Sequence, residues 1–165
     1  MMKELPKRKI IRWKDYDYSQ NNACYVTICI QNRQCLFGAP VGTPLRGHPN
    51  PQSEMVEKWI LEIENKYENA KVDKYVIMPD HIHMIIVLTG DHVGSPLQQI
   101  IGWFKTMTTN EYIRGVKASI YDAFDKKIWQ QSYYDRIIRN ESEYKEIWNY
   151  IDTNSIKWQN DDYFI

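Results

Sequence analysis

The 165-residue sequence lacks a long apolar segment. Its longest uninterrupted apolar run, Met84 to Leu88, has the length of a strand, whereas a membrane-spanning helix needs about 20 apolar residues. The first nine residues are charged and lack the apolar core of a secretory signal. These absences predict a protein without a membrane partner, and we expect it in the cytoplasm.

Cysteine is scarce, and no sign of charge dominates. The three cysteines (Cys24, Cys29 and Cys35) are an odd number without the paired spacing of a metal site, which indicates a reduced protein. The 21 basic and 21 acidic residues cancel, which argues against a large basic surface that coats DNA. Residues 1–40 nevertheless hold seven basic against three acidic side chains. Such a half can hold a polyanion, although ordinary solvated surfaces show the same pattern.

Composition and length favour one folded domain spanning residues 1–165, with residues 1–22 as a basic arm. Apolar residues make up 43% of the chain, so disorder as the main state is excluded. The patterns predict strands over 24–30, 72–78, 81–88 and 133–138, a loop over 38–52, and helices over 53–68, from 95 onward, and over 141–158. This order indicates an α+β fold in which helices pack on a mostly antiparallel sheet.

The sharpest local signal is the sequence His81-Ile82-His83. Alternate residues of a strand share a face, so both imidazoles project the same way while Ile82 faces the core. Two neighbouring histidines on a rigid strand form half of a divalent-metal site. The alternative is a pair of partly exposed histidines without a ligand. Asp80 is placed either to orient an imidazole or simply to make the turn.

The last predicted helix offers a third ligand. Tyr150 and Asn154 lie one turn apart at the edge of its apolar stripe. An amide oxygen can bind a hard cation such as Mg²⁺ or Mn²⁺, and a tyrosine hydroxyl can act as a covalent nucleophile. The alternative is a purely structural role, since Tyr and Asn one turn apart near a helix end are common.

Several other sites are excluded or weaker. Position 85 is Ile, so the alternating third histidine of a histidine-triad hydrolase is missing, and no glycine-rich phosphate loop follows a strand. Lys105 is placed on the exposed side of its helix, where it would contact either DNA phosphate or solvent.

Four segments together resemble the single-tyrosine HUH transposases, and in particular the REP-associated tyrosine transposases. The 14 residues from Tyr75 to Leu88 (YVIMPDHIHMIIVL) are similar to the family's histidine strand, and 150–157 (YIDTNSIK) to its tyrosine helix. The segments 15–19 with 25–29, and 129–130 with 134–140, are similar to its first strand and to the region before the last helix.

The resemblance implies a ferredoxin-like (RRM-like) fold and a metal-dependent single-stranded DNA endonuclease and transposase. By position, Tyr150 is the nucleophile, and His81, His83 and Asn154 hold Mg²⁺ or Mn²⁺. The implied partner is single-stranded DNA with a hairpin near the cut. The protein acts as a monomer or a homodimer, with the tyrosine in cis or in trans. Arg12, Lys14 and Arg33 are predicted backbone contacts to the DNA.

Other functions remain open at this point. The sheet aromatics of a non-catalytic module would stack unpaired bases without cutting them. A replication or plasmid-mobilisation nickase, or a nickase domesticated by its host, would use the same chemistry. Stand-alone nickases of this kind usually carry further domains, which 165 residues do not accommodate.

Overall fold

In the computed structural model, residues 23–38, 50–89 and 96–154 are described. Their order is strand, helix, hairpin, helix, strand, helix. The elements are β1 (Ala23–Cys29), α1 (Pro51–Lys66), β2 (Ala70–Ile77), β3 (His81–Leu88), α2 (Pro96–Lys117), β4 (Tyr134–Ile138) and α3 (Glu141–Thr153), with a short 3₁₀ turn at Gln31–Arg33.

The four strands form one antiparallel sheet in the order β2-β3-β1-β4. β1 and β3 are the two central strands, and their register sets Thr27 opposite His83 and Cys29 opposite His81. Helix α1 connects β1 to β2, and α2 connects β3 to β4, so each helix crosses over one intervening strand. This arrangement is the ferredoxin-like fold, which confirms the predicted fold class.

One face of the sheet is covered by α1 and α2. Ile82, Met84 and Ile86 of β3 are 0% exposed and share a core with the apolar sides of both helices, as the alternation of the strand predicts. On α2 the predicted stripe is buried at Ile100, Ile101, Phe104 and Thr108, and Leu97 packs partly buried beside it. Burial of these side chains is the main stabilising contribution on this face.

Among the described residues, α3 is the helix that covers the opposite face. Its predicted stripe is buried, and it packs on alternate residues of the sheet strands; the α3 residues concerned are Tyr144, Ile147, Trp148 and Ile151. Asn140 starts the helix, because its side-chain oxygen accepts a 2.8 Å hydrogen bond from the backbone N–H of Glu143. Such an N-cap contributes about 1 kcal/mol.

Some boundaries differ from the sequence prediction. Helix α1 begins at Pro51, not at 53, because Asn50 accepts a 2.8 Å hydrogen bond from the Ser53 N–H and proline fits the first helical turn. The stretch 116–129, whose sequence pattern is ambiguous, contains the end of α2 and then turns, and its Trp129 bridges back to Ile30 beside β1.

Several predictions fall on residues outside the described ranges: the basic arm 1–22, most of the loop 38–52, the helix start at position 95 and the helix beyond Asn154. Within the described residues, no helix combines the length and the apolar character that crossing a membrane requires.

Candidate active site

The two histidines of β3 lie side by side in the interior. Both are 0% exposed, so neither of the two sequence-based alternatives anticipated how deeply they are buried. Their Nε2 atoms are 3.0 Å apart, and the rings meet edge to face with centroids 4.6 Å apart. Alternation along the strand therefore does aim both imidazoles at one point, under α3.

Asp80 holds the first histidine from outside. Its Oδ1 lies 2.6 Å from Nδ1 of His81. Burial raises the pKa of the Asp80 carboxyl, but hydrogen bonds from His81 and Arg33 outweigh burial and leave that pKa below its usual value. An ionised carboxylate only accepts hydrogen bonds, so Nδ1 of His81 carries a hydrogen; in the neutral imidazole, Nε2 then presents a lone pair.

The second histidine has hydroxyl partners. Nδ1 of His83 lies 2.9 Å from the Tyr25 hydroxyl and 2.9 Å from the Thr27 hydroxyl, both on β1. The Tyr25 ring also stacks on His83, with centroids 5.6 Å apart. A hydroxyl can donate or accept, so these two partners by themselves fit either tautomer of His83. The 3.0 Å contact between the two Nε2 atoms needs one donor, and opposite a neutral His81 that carries its hydrogen on Nδ1 the donor is Nε2 of His83.

Helix α3 brings Tyr150 to the histidines. The Tyr150 ring meets the His83 ring edge to face, with centroids 5.4 Å apart. Asn154 follows one turn later at the C-terminal cap of the helix and is 1% exposed. The sequence placed both residues at the edge of the stripe and did not predict that Asn154 is fully buried.

A buried ion pair fixes α3 on the sheet. The ammonium of Lys74 on β2 lies 2.7 Å from Oδ1 of Asp152 and 4.0 Å from the centroid of the Trp148 ring. The Lys74 side chain is only 7% exposed. Because Asp152 stands between Tyr150 and Asn154 in the sequence of α3, this pair anchors the same turns that carry both candidate site residues.

The donor set fits a divalent cation. His81 and His83 present their Nε2 atoms 3.0 Å apart, and imidazole nitrogens are among the ligands that divalent metal ions take in proteins. Oδ1 of Asn154 is a buried oxygen without a hydrogen-bond partner among the described residues. Among the described residues, no group of three or more His, Cys, Asp or Glu side chains could hold a metal ion by itself, and the Asn154 amide oxygen is the further ligand that the resemblance implies.

The predicted DNA contacts are placed differently from one another. Arg12 and Lys14 lie outside the described residues. Nε of Arg33 donates to Oδ2 of Asp80 at 2.7 Å. The ammonium of Lys105 donates to the carbonyls of Gln130, Gln131 and Ser132 at 2.9–3.3 Å, and burial lowers its pKa. The sequence predicted an exposed Lys105 side chain, whereas in the structure Lys105 is partly buried and holds the 130–132 loop through these hydrogen bonds. The contact of these four residues with DNA stays a prediction.

Sequence reasoning missed two groups of site residues. Tyr25 and Thr27 alternate along β1, which placed them on one face, but only the pairing of β1 with β3 brings them to His83. Lys74 and Asp152 are 78 residues apart, and no local pattern links them.

The fold and the site together define a ferredoxin-like α+β protein in which a buried histidine pair faces a tyrosine helix. The sequence model of the family described as "Transposase IS200 like" matches residues 47–154. An uncharacterized protein of Haemophilus influenzae strain Rd is 31% identical over 172 residues, covering 96% of this chain and 93% of its own length. The chain therefore belongs to the IS200-like transposase family.

Solved structures share the fold. The structure of a REP-associated tyrosine transposase bound to a REP hairpin superposes with a TM-score of 0.55 at 21% identity, covering 84% of this chain and 68% of that one. The crystal structure of a proposed transposase from Deinococcus radiodurans R1 has a TM-score of 0.53 at 14% identity, covering 86% and 95%. At these identities the likeness concerns the fold.

Proposed function

We propose that this protein is a single-tyrosine DNA strand transferase whose nucleophile is Tyr150. The observation that carries the proposal is the meeting of Tyr150 with the His81–His83 pair in one chain, at a ring separation of 5.4 Å from His83. Family membership supplies the class of reaction. The tyrosine is positioned by an anchored helix, as a nucleophile must be.

In the proposed reaction, the Tyr150 oxygen attacks a phosphodiester of single-stranded DNA. A bond forms between this oxygen and phosphorus, and the bond from phosphorus to the 3′ oxygen breaks. The tyrosine proton leaves and the departing strand ends in a 3′-OH, while a 5′-phosphotyrosine remains. A 3′-OH from another strand can reverse the step, and no external energy source is needed because the covalent link replaces the bond that was cut.

His81, His83 and Asn154 would hold the divalent cation, Mg²⁺ or Mn²⁺, with Asp80 orienting His81. When bound there, the cation would polarise a phosphate oxygen and stabilise the negative charge that develops in the transition state. The protein would hold these ligands in fixed orientations, because Asp80 contacts His81 while the hydroxyls of Tyr25 and Thr27 contact His83.

The DNA would enter along the β4 edge. An open groove of about 640 Å³ there is lined by Tyr134, Arg136 and Arg139, among others. The Tyr134 side chain is 41% exposed, and its ring contacts Tyr25, which in turn reaches His83. An exposed aromatic ring can stack on an unpaired base, and arginines can contact phosphate. A relative bound to a REP hairpin favours a hairpin-bearing substrate.

The site combines its groups within one chain, so we propose that Tyr150 acts in cis. A homodimer is then unnecessary for catalysis. Mixing a Tyr150→Phe protein with a His81→Ala protein should not restore strand cleavage. Restored cleavage would show that the tyrosine acts in trans.

The test is covalent capture. Purified protein is mixed with Mn²⁺ and labelled single-stranded DNA copied from the flanks of its own gene, and adducts are resolved on a denaturing gel. We expect an adduct that disappears in EDTA and in Tyr150→Phe. The matched control is Tyr75→Phe on the α1/α2 face, which should keep the adduct because its hydroxyl bonds Glu57.

Mass spectrometry of the digested adduct identifies the linked residue. A nucleotide attached through its 5′ phosphate to a peptide that lacks Tyr150 would contradict the assignment of Tyr150 as the nucleophile. Tight DNA binding in the absence of any adduct would favour the non-catalytic binding module instead.

A further inference from the structure

Arg33 has a different environment from the one expected of a DNA contact. Its Nε donates to Oδ2 of Asp80 at 2.7 Å, while Oδ1 of the same carboxylate lies 2.6 Å from Nδ1 of His81. The carboxylate therefore bridges a guanidinium and an imidazole, one on each oxygen. Asp80 is 7% exposed and the Arg33 side chain is 39% exposed, so the carboxylate is shielded from water while part of the guanidinium side chain remains accessible.

The backbone around Arg33 is arranged for this contact. Asn32 and Arg33 both have positive φ, at 56° and 55°. Two consecutive non-glycine residues in the left-handed region cost about 1 kcal/mol or more each, and such conformations persist only where surrounding contacts impose them. Contacts made by the Gln31–Arg33 turn offset this conformational free energy, and the ion pair between Arg33 and Asp80 is one of them.

Further backbone hydrogen bonds tie the same segment to the histidine hairpin. The N–H of Ile30 donates to the carbonyl of Asp80 at 2.9 Å, and the N–H of Phe37 donates to the carbonyl of Pro79 at 3.1 Å. The turn between β2 and β3 is thus held from both ends of the Ile30–Phe37 segment, with Arg33 in its middle.

We propose that Arg33 is a positioning residue, which acts through Asp80 to keep His81 in the orientation and tautomer that leave its Nε2 lone pair facing His83. With one oxygen occupied by the guanidinium, the carboxylate has a fixed plane, and its other oxygen stays aligned with Nδ1 of His81. The expected contribution of Arg33 to cation affinity rests on the proposed function. The effect on the imidazole itself does not.

The first measurement needs neither metal nor DNA. Long-range ¹⁵N–¹H correlation spectra of histidine-labelled protein in EDTA distinguish a protonated ring nitrogen from a bare one. We expect His81 in the wild type to carry its hydrogen on Nδ1 only. In Arg33→Gln we expect a mixture of tautomers or an exchange-broadened His81 signal. The matched control, Arg114→Gln, removes an exposed arginine from α2 and should leave the spectrum unchanged.

The second measurement is the affinity for Mn²⁺ alone, by titration calorimetry. Loss of a group that orients a ligand typically weakens binding by about 10- to 100-fold, and we expect about 10-fold for Arg33→Gln. Asp80→Asn should lose more. The double variant should lose no more than Asp80→Asn, because Arg33 acts only through that carboxylate. Arg33→Lys should restore part of the affinity.

The third measurement separates positioning from DNA contact. Binding of single-stranded DNA in EDTA, as a function of salt, should be unchanged within about twofold in Arg33→Gln, because a residue that contacts no phosphate leaves the salt dependence intact. Weaker DNA binding with an unchanged His81 spectrum would overturn the proposal and make Arg33 a DNA contact. An unchanged spectrum together with unchanged Mn²⁺ affinity would also overturn it. If Arg33→Gln changes the His81 spectrum as expected but the wild type forms no DNA adduct, the proposed function is refuted and the positioning role of Arg33 stands.

Discussion

The two faces of strand β3 are equally buried and chemically different. Toward α1 and α2 the strand presents Ile82, Met84 and Ile86, all in an apolar core. Toward α3 it presents the apolar Ile85 and Val87 together with His81 and His83, whose ring nitrogens all meet hydrogen-bond partners. The first face stabilises the fold by burying apolar surface. The second face holds two buried imidazoles, which would destabilise the fold if their nitrogens lacked hydrogen bonds.

This difference suggests a division of labour that substitutions can test. A change on the α1/α2 face should alter the free energy of unfolding and leave the chemistry of the folded protein intact. A change to either histidine on the α3 face should alter chemistry first.

The largest effect is expected from His83→Ala. Removing one imidazole from the pair should lower the rate of adduct formation about 1,000-fold, equivalent to about 4 kcal/mol of barrier. The rate is measured on labelled single-stranded DNA with Mn²⁺, alongside the thermal midpoint. Ile82→Val, on the opposite face of the same strand, should cost about 1 kcal/mol of stability and keep the rate. Similar rate losses in both variants would refute the division between the faces.

Met84→Ala should have the largest effect on stability. It removes a fully buried side chain from the α1/α2 core, so we expect the free energy of unfolding to fall by about 2–5 kcal/mol. Urea unfolding measures the loss, and adduct formation is measured per folded molecule, where no change is expected. Leu61→Ala, at a position that is 55% exposed, should change stability by about 0.5 kcal/mol or less.

Lys74→Met should disturb the attachment of α3. The variant leaves Asp152 without its ion pair and removes the contact with the Trp148 ring, so we expect a loss of about 2 kcal/mol in stability. Because this pair anchors the turns of Tyr150 and Asn154, adduct formation should fall as well. Lys145→Met on the exposed side of α3 loses only a surface pair with Glu141 and should change neither quantity appreciably. An unchanged rate in Lys74→Met would show that apolar packing alone positions α3.

The smallest effect concerns pH and the start of α3. Burial raises the pKa of Glu143, but hydrogen bonds from the Arg139 N–H and from Arg136 outweigh it, so that pKa lies below its usual value. A lowered pKa in the folded state stabilises the protein above the unfolded pKa of about 4.3, and this stabilisation disappears as the pH falls through the folded value.

Glu143→Gln should therefore cost about 1 kcal/mol at pH 7, and the difference from wild type should shrink below about pH 4. Thermal unfolding between pH 3 and 7 measures it. Glu146→Gln, exposed on the same helix, is the matched control. A difference that grows toward low pH would contradict the sign.

The spacing of apolar residues predicted most of the fold, because a strand or helix that buries one face repeats apolar residues at its own structural period. The alternation around His81 and the stripe of α3 each place a side chain on a face without reference to the rest of the chain. Helix starts were harder, since the cap at Asn50 competes with a loop signal rich in proline and glycine. The full burial of Asn154 was not predictable from the helix alone, because it depends on how α3 sits on the sheet.

Local sequence by itself determined the strand with two histidines on one side, the tyrosine and asparagine one turn apart, and the resemblance that joined them. Tertiary structure alone decided that Arg33 pairs with Asp80, that Tyr25 and Thr27 reach His83, and that Lys74 anchors α3. The reason is physical: side-chain direction follows from the local period of the backbone, whereas a hydrogen bond between distant residues requires the strand pairing and helix docking that only the folded chain provides.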